Sequence, residues 1–395
     1  MATIQQRIGK NGKITYRIKV SCGYTYDHKQ IIKSMTFVPD DRLTPRKALK
    51  EAHRQAFIFE EQCKEETNNA NHTTFETLAE EWLNIVRQTK SQKKSSIVRL
   101  ECCEKRTYQV IGNLDVDKIN FRQIQSFVLS LSKKGANAKT GMGLSTKSQK
   151  HYLTFISSVM KYAIQCGFRK DNPCQGVTVV KKKAQEKDIY SLDEVKAILS
   201  ALHDKAPIMH TTLFSIIAYL GLRRAEVLGL EYKDFDFNNH TVQITRTYNY
   251  CGSENGSYTD TPKTQKSCRT LSVPSILIEL LKQLHTQQEQ DAKNCGDLWH
   301  KSDRVFVNEF GQPIHPNTPY NWLNKFCKRN DLPFKGIHSF RHSFATQAIV
   351  NGTDVSTVSS ILGHSQTSTT LNIYTHSVQA VNDKAMEGIA NLLNA

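Results

Sequence analysis

Two stretches near the carboxyl end decide the fold of this 395-residue chain: GIHSFRHSFAT at residues 336–346 and ILGHSQTSTTLNIYTH at residues 361–376. Two earlier stretches belong with them, GLRRAEVLGL at residues 221–230 and TPKTQKSCRTLSVP at residues 261–274. Each stretch is a weak signal alone. In this order they supply cations, imidazoles and a tyrosine hydroxyl, without an accompanying cluster of carboxylates that would hold a metal ion.

The candidate catalytic residues are three cations, two imidazoles and one phenol: Arg223, Lys263, Arg341, His338, His364 and Tyr374. Phosphoryl transfer spreads negative charge over the non-bridging oxygens of the transition state. Guanidinium groups stabilise that charge with paired donors in a fixed fork. The set therefore predicts chemistry at a phosphodiester, with no metal ion and no cofactor.

Two of these positions have neighbours that compete with them. Arg224 follows Arg223 directly, and on an ideal helix the two side chains point about 100° apart, so only one of them faces a phosphate. Lys266 competes with Lys263 in the same polar turn. Spacing alone does not choose between the members of either pair.

Composition and charge indicate the class of partner. Lys and Arg number 53 against 37 Asp and Glu, so the formal net charge is +16, which favours nucleic acid over a membrane surface. No run reaches the roughly 18 to 20 apolar residues of a membrane span. The first ten residues are polar, which does not fit a signal peptide. We expect a cytoplasmic protein that associates with the nucleoid when it binds DNA.

Residues 1–67 are predicted to form a small β-sheet with one helix. Residues 14–20 alternate with period two, with Arg17 and Lys19 on the polar face, and residues 31–38 form a second β-like run. A helix starts at Thr44-Pro45, and the polar stretch 60–72 is interpreted as its end plus a linker.

The same segment is strongly basic. Through residue 54 it carries twelve Lys or Arg and four acidic residues, a net charge of +8. A β-ribbon laid into a DNA groove would use such a face, so Arg17 and Lys19 are candidate DNA contacts. The alternative is an ordinary solvated basic surface.

Residues 73–173 are predicted to form an all-helical domain. Thr73 and Glu76 have capping-box spacing, and further helices are predicted at 95–111, 120–131 and 145–166. Apolar residues recur at helical spacing along the last of these, which indicates a core face. Lysines at loops and helix ends are suited to gripping phosphates, and the candidates are Lys93, Lys94 and Lys147.

Residues 186–395 are predicted to form a mainly α domain with a small β-sheet. Ser191 and Glu194 have capping-box spacing, and strands are predicted at 242–248 and 269–273. The fold class is therefore multidomain α+β, with a sheet-plus-helix domain, a helical domain and a mainly α domain in that order.

The four stretches resemble the tyrosine recombinases, and among them the integrases of temperate phages and conjugative transposons. GLRRAE resembles the first box of that family, PKT its lysine hairpin, HSFR its H-x-x-R box and LGHSQTSTTLNIYTH its last box. Phe340 stands where leucine is common. The resemblance selects Arg223 over Arg224 and Lys263 over Lys266. His342 falls outside the family's catalytic pattern and is interpreted as a structural hydrogen-bonding residue.

The resemblance implies a mechanism. Tyr374 attacks a scissile phosphate and forms a 3′-phosphotyrosyl link, and the free 5′-hydroxyl later attacks a partner strand without ATP. Arg223 and Arg341 clamp the non-bridging oxygens, and His364 donates a hydrogen bond to the phosphate. Lys263 protonates the leaving 5′-oxygen, and His338 assists proton transfer at the nucleophile.

It also implies the partners. The DNA partners are double-stranded attachment sites, of which the helical domain binds the core-type and residues 1–67 bind the arm-type. The enzyme acts as a homotetramer that passes through a Holliday junction. The protein partners are an excisionase and a host DNA-bending protein. Residues 376–395 carry an apolar stripe at helical spacing and either pack on their own domain or exchange between protomers. The competing hypotheses are a type IB topoisomerase and a DNA-binding regulator without activity.

Overall fold

The computed structural model describes ten stretches of the chain: residues 2–8, 13–24, 30–40, 43–70, 73–181, 188–253, 256–262, 267–364, 366–368 and 371. At residues 23–24 and 64–70 it describes the backbone alone. The chain divides into two compact units, Met1–Lys183 and Ala184–Ala395. The multidomain α+β class predicted from the sequence is confirmed.

The first unit begins with a three-stranded antiparallel sheet covered on one side by a helix. The elements are β1 (Thr3–Ile8), β2 (Ile14–Tyr24), β3 (Gln30–Phe37) and α1 (Pro45–Ala70), with strand order β1-β2-β3. Tyr16, Ile18 and Val20 are buried on one face of the central strand, as the alternation predicts. On α1 the buried positions include Ala48, Ala52 and Ala56, whose small side chains allow close packing on the sheet.

Two features of this sheet-and-helix region differ from the sequence analysis. The strand β1 was not predicted, because five of its six residues are exposed and its apolar residues do not alternate. The helix α1 runs through Ala70, so the interpretation of residues 60–72 as a helix end plus linker was wrong for 60–70. Residues 71–72 lie outside the described part of the chain.

The rest of the first unit is helical. Its helices are α2 (Phe75–Gln88), α3 (Lys94–Thr107), α4 (Phe121–Ser130) and α5 (Thr146–Gln165), and α3 runs on into a π-helical turn at Tyr108–Gly112. The predicted capping box at Thr73 was wrong by one residue, since Thr74 is the N-cap and its hydroxyl accepts from Thr77 N at 3.3 Å. The core face predicted on α5 is confirmed, with Phe155, Val159 and Met160 fully buried.

The second unit contains seven helices and five strands within its described residues. They are α6 (Leu192–Lys205), α7 (Ile208–Leu220), α8 (Arg224–Val227), β4 (Phe235–Asp236), β5 (Thr241–Ile244), β6 (Thr247–Tyr250), β7 (Ser257–Asp260), β8 (Arg269–Ser272), α9 (Ser275–Cys295), α10 (Thr318–Arg329), α11 (Ile337–Val350) and α12 (Val355–Leu362). The sheets are β4-β5-β8 and β6-β7. The predicted strand at 242–248 is therefore two strands in different sheets, because the chain leaves the ladder between Ile244 and Thr247.

The segment that enters the second unit is fixed to α11. Tyr190 is 1% exposed and packs against Phe340, with ring centroids 4.6 Å apart. Its carbonyl accepts from Ser343 Oγ at 2.7 Å, and its hydroxyl accepts from Lys335 N at 2.8 Å. The predicted capping box of Ser191 and Glu194 follows at once and is confirmed. The Phe340 side chain is therefore packed against the ring of Tyr190.

Within the described residues, no helix combines the length and the apolar character that a membrane crossing requires.

A buried histidine lies in the core of the second unit. His210 on α7 stacks on Trp322 of α10, with ring centroids 3.8 Å apart and an interplanar angle of 13°. Among the residues that the structure describes, neither of its ring nitrogens has a hydrogen-bond partner, and burial lowers the pKa of His210 from 6.5 to about 4. The folded protein therefore holds this ring uncharged.

Replacing this ring tests its contribution to acid sensitivity. Below pH 6.5 the unfolded chain protonates His210 while the folded chain does not, so the free energy of unfolding falls as the pH drops toward 4. We expect His210→Phe to lose less stability than the parent between pH 7 and pH 5, by roughly 2 kcal/mol. Urea unfolding at both pH values measures the difference. Exposed His203→Gln is the control, and equal losses for His210→Phe and the parent would contradict the prediction.

Candidate active site

A left-handed glycine ends α7 and directs the chain into the first arginine box. Gly221 has a φ of 61°, and a Cβ atom built there lies 2.7 Å from Phe344 and 2.8 Å from Leu362. Both the backbone conformation and the lack of space require glycine. The turn therefore brings α7 close to α11 and α12, and Arg223 follows it two residues later.

Arg223 is held by contacts at both ends. Its backbone N–H donates to Glu226 Oε2 at 3.0 Å, and its Nη1 donates to Glu226 Oε1 at 2.6 Å. Its Nη2 donates to the carbonyl of Gly363 at 3.2 Å, and 35% of the side chain stays exposed. The guanidinium is thus fixed in place while part of it is open to a ligand.

The neighbouring arginine takes a different direction. Arg223 has an extended backbone as the N-cap of α8, whereas Arg224 is the first helical residue. Arg224 donates to Asn317 Oδ1 at 3.3 Å, and burial lowers its pKa. Of the two arginines, Arg223 is the one that contacts the turn of the last box.

Glu226 is the anionic centre of the site. Its side chain is 2% exposed, and besides Arg223 it pairs with Arg269 at 3.1 Å and approaches Arg341 to 4.0 Å. Burial by itself would raise the pKa of this carboxyl, but the charges of Arg269 and Arg223 hold it below the usual range. The single carboxylate of Glu226 therefore balances the charge of three guanidinium groups.

Arg341 lies on α11 with 1% of its side chain exposed. Its Nη1 donates to the carbonyl of Gly221 at 2.8 Å, and its Nη2 donates to the carbonyl of Leu362 at 2.6 Å. Burial, with a smaller contribution from Arg223, lowers the pKa of Arg341 to about 9. At neutral pH the group is still charged, so the site holds a buried cation.

His364 follows the left-handed residue Gly363 at the end of α12, and its backbone N–H donates to Ser359 at 3.0 Å. Burial, with smaller contributions from the nearby charges of Arg341 and Arg223, lowers the pKa of this half-buried imidazole to about 4. His364 is therefore neutral at physiological pH. A neutral imidazole still donates one N–H.

His338 lies exposed in the first turn of α11. Its ring packs edge-on against that of His342, one helical turn later, with centroids 4.7 Å apart. Its charge also contributes to the lowered pKa of His364, which indicates that the two imidazoles share one site. His342 is buried, and its structural hydrogen-bonding role stays a prediction.

The structure thus brings together four of the six predicted catalytic residues, Arg223, His338, Arg341 and His364. Lys263 and Tyr374 lie outside the described residues, as does the segment 376–395. Among the described residues, no group of three or more His, Cys, Asp or Glu side chains is placed to hold a metal ion.

Sequence reasoning missed two residues that organise this site. Glu226 stands three residues after Arg223, the spacing of a capping box, and that signal was available. Arg269 is the first residue of β8, where a charged side chain next to a polar turn suggests exposure, yet only 7% of it is exposed. Pairing between distant segments has no signature in one sequence.

The candidate DNA contacts at the N-terminus share one face of the sheet. Arg17 and Lys19 are half-buried on the side of β2 opposite the core, and Arg17 Nη2 lies 3.4 Å from Ser34 Oγ. Polar residues flank them on the neighbouring strands, with Gln5 and Thr36 opposite Arg17 in the ladder. The side away from α1 is therefore polar and basic.

The candidate lysines of the helical region lie at helix N-termini. Lys93 is the N-cap of α3 and Lys94 its first residue, while exposed Lys147 lies in the first turn of α5. Burial and the positive charges of Arg99 and Lys147 lower the pKa of His151, which shows that α3 and α5 meet at a positive surface.

Removal of the central carboxylate tests the charge balance of the site. At pH 7 we expect Glu226→Gln to lower the free energy of unfolding by about 3–5 kcal/mol, because it leaves buried guanidinium groups without their anion. The pKa of Glu226 is lowered in the folded state. The stability that its carboxylate contributes is therefore fully present above the ordinary carboxyl pKa range, and it is lost as the pH falls through the lowered pKa of the folded state.

Chemical unfolding from pH 7 to pH 3 measures the effect of Glu226→Gln. Glu289→Gln is the matched control, since Glu289 is 61% exposed and pairs with a surface histidine; its effect should stay within about 0.5 kcal/mol. If the two variants have equal effects, Glu226 is not the anion that balances the site.

Comparisons with known proteins relate this chain to a protein family. The profile of the phage integrase family matches residues 190–380, and that of the phage integrase central domain matches residues 75–179, so together they cover about three quarters of the chain. A curated relative, a XerC-like tyrosine recombinase of Caldanaerobacter subterraneus, is 29% identical over 404 residues, which is 97% of each chain.

Solved structures have the same fold. The Tn1549 transposon integrase in complex with transposon right end DNA matches with a TM-score of 0.66 at 21% identity, over 80% of this chain and all of that one. A lambda integrase tetramer bound to a Holliday junction matches with a TM-score of 0.55 at 14% identity, over 93% and 94% of the two chains. The chain belongs to the phage integrase family of tyrosine recombinases, enzymes that break and rejoin DNA.

Proposed function

We propose that this chain is a site-specific recombinase that integrates and excises a mobile element through a 3′-phosphotyrosyl intermediate and a Holliday junction. The observation that carries the proposal is the convergence of Arg223, Arg341 and His364 on the turn that ends α12. This turn lies ten residues before Tyr374 in the sequence. A tyrosine delivered from here would meet a phosphate held by both arginines.

In the proposed reaction the Oη of Tyr374 attacks phosphorus, a P–Oη bond forms and the P–O5′ bond breaks. The phenol must lose its proton, and exposed His338 is the base that we assign to it. The leaving 5′-oxygen gains a proton, which we assign to Lys263. Because one phosphodiester replaces another, the step needs no ATP and is reversible.

The electrostatics of the described residues support this assignment. Arg341 holds a fully buried positive charge, and Arg223 adds a partly exposed one. His364 is neutral and supplies an N–H without adding charge. Such donors are fixed before the reaction starts, so little reorganisation is needed when negative charge develops on the non-bridging oxygens.

We propose three domains, at residues 1–67, 73–173 and 186–395. Separate hydrophobic cores support this division: one between the N-terminal sheet and α1, one within α2 to α5, and one spanning α6 to α11. The first two domains are assigned to arm-type and core-type DNA sites. Lys94 and Lys147 stand at helix N-termini, where a lysine opposes the helix dipole and a bound phosphate would offset it.

The assembly that we propose is a homotetramer on DNA, acting in the cytoplasm where a bacterial chromosome lies. The lambda integrase, which forms a tetramer on a Holliday junction, and the Tn1549 transposon integrase support this by likeness. An excisionase and a host DNA-bending protein are the further partners. Exchange of the segment 376–395 between protomers belongs to the same proposal.

The experiment that tests the reaction looks for the covalent link. The protein is incubated in EDTA with a nicked duplex that spans the end junction of its own element. We expect an SDS-resistant protein–DNA adduct with the parent protein and none with Tyr374→Phe, which keeps the ring and lacks the nucleophile. Tyr250→Phe is the matched control, since Tyr250 is an exposed tyrosine of the same unit.

The outcomes separate the competing functions. An adduct that leads to recombinants only when two attachment sites are present supports the recombinase. Relaxation of supercoiled DNA without paired sites would indicate a topoisomerase-like enzyme. If the parent forms no adduct on any cognate junction, the chain acts as a DNA-binding regulator and the proposal is wrong.

A second prediction concerns the N-terminal sheet. If its polar face contacts DNA, each lost phosphate contact lowers the slope of log affinity against log salt by about 0.9. The double variant Arg17→Gln with Lys19→Gln should therefore flatten the slope for arm-site DNA by about 2. Fluorescence anisotropy between low and moderate salt measures it.

The matched control removes the same charge from another face. Lys47 and Lys50 are exposed on α1, so changing both to Gln should lower the slope much less. Equal slopes for the two double variants would mean that the basic sheet face is only a solvated surface.

A further inference from the structure

Arg269 makes hydrogen bonds to three different segments of the second unit. Its Nε donates to the carbonyl of Ile361 at 2.5 Å, and its Nη1 donates to the carbonyl of Ser267 at 3.0 Å. Its Nη2 donates to Glu226 Oε2 at 3.1 Å. The side chain is 7% exposed, and its Nε, Nη1 and Nη2 each donate to a protein acceptor.

Two of these three segments, those of Glu226 and Ile361, form hydrogen bonds with Arg223 or Arg341. Glu226 bonds Arg223 on its other carboxylate oxygen. Ile361 begins the turn whose next two carbonyls, Leu362 and Gly363, accept from the guanidinium groups of Arg341 and Arg223. Arg269 therefore contacts the partners of both arginines without contacting the open side of the site.

The fit around Arg269 requires an arginine and a glycine together. Gly363 has a φ of 63°, and a Cβ atom built there lies 2.8 Å from Arg269 Nη1. Lysine has the same charge but a single donor group, so it cannot span Ile361, Ser267 and Glu226 at once. The geometry depends on the planar fork and not on charge alone.

We propose that Arg269 is a positioning residue that holds Arg223 and Arg341 in the geometry of a phosphate clamp. The proposal rests on the proposed recombinase function. It assigns to Arg269 no contact with DNA and no part in proton transfer. Its loss is therefore expected to weaken the clamp on the non-bridging oxygens and to leave protonation of the leaving group intact.

The test measures single-turnover cleavage by Arg269→Lys on three forms of one cognate DNA. The first has the natural scissile phosphodiester. In the second a methylphosphonate replaces one charged non-bridging oxygen, which reduces the need for a cationic clamp. In the third sulfur replaces the bridging 5′-oxygen, which makes a leaving group that departs without a proton.

We expect Arg269→Lys to cleave the natural linkage about 10- to 100-fold more slowly than the parent, as a small misplacement of catalytic groups does. On the methylphosphonate its rate should approach that of the parent, while bridging sulfur should give no such recovery. Lys263→Ala is the reference variant for the opposite pattern, in which the cleavage rate recovers on bridging sulfur and not on the methylphosphonate. Binding affinity for the core site should stay within about twofold, which a general loss of structure would not allow.

Arg304→Lys controls for the removal of any buried guanidinium fork. The Arg304 side chain is 10% exposed, bonds the carbonyl of Gly229 and the hydroxyl of Thr259, and pairs with Glu231 at 3.5 Å. Its cleavage rates on all three substrates should equal those of the parent. If Arg269→Lys does not fold, Gly363→Ala displaces the same guanidinium and should give the same substrate pattern.

The outcomes are distinct from a failure of the proposed function. If the parent forms no adduct, the recombinase assignment itself fails. If the parent cleaves normally, the positioning proposal is overturned by an unchanged rate in Arg269→Lys, by equal losses on all three substrates, or by recovery on bridging sulfur.

Discussion

One buried carboxylate holds the candidate site together. Glu226 pairs with Arg223 and Arg269 and lies 4.0 Å from Arg341. Three guanidinium groups gathered without an anion would repel each other in a poorly solvated site. A single carboxylate makes the cluster possible and leaves it positive overall, which suits a phosphate. The positive charge that is not neutralised by Glu226 attracts an anionic ligand.

Backbone carbonyls at two helix ends also offset the positive charge of the site. Arg341 donates to the carbonyls of Gly221, at the end of α7, and of Leu362, at the end of α12. Carbonyls in the last turn of a helix lack partners within the helix and carry its negative dipole end. Two helices thus direct their negative ends at one buried cation. The positions of α7 and α12, and with them the turn of His364, are tied to a single side chain.

The sequence was sufficient for part of the fold and for part of the site. Periodicity located β2 and α5, and the motifs singled out four residues that the structure brings together. It was insufficient for Arg269, because the partners of that residue lie 43 and 92 positions away in the chain. It was also insufficient for β1, whose side chains are mostly exposed, and for the length of α1, where no Pro or Gly marks an end. The roles of Lys263 and Tyr374 stay predictions.

The contact between Phe340 and Tyr190 constrains how this part of the protein can vary. Both rings are 1% exposed, and Phe340 is the direct neighbour of Arg341. A leucine at 340 is smaller, so beside the same Tyr190 it leaves a void at the position next to Arg341, and a larger group would have to fill it. The two positions share one volume although 150 residues separate them. They should therefore vary as a pair, so that a change in the segment that enters the second unit accompanies a change in α11.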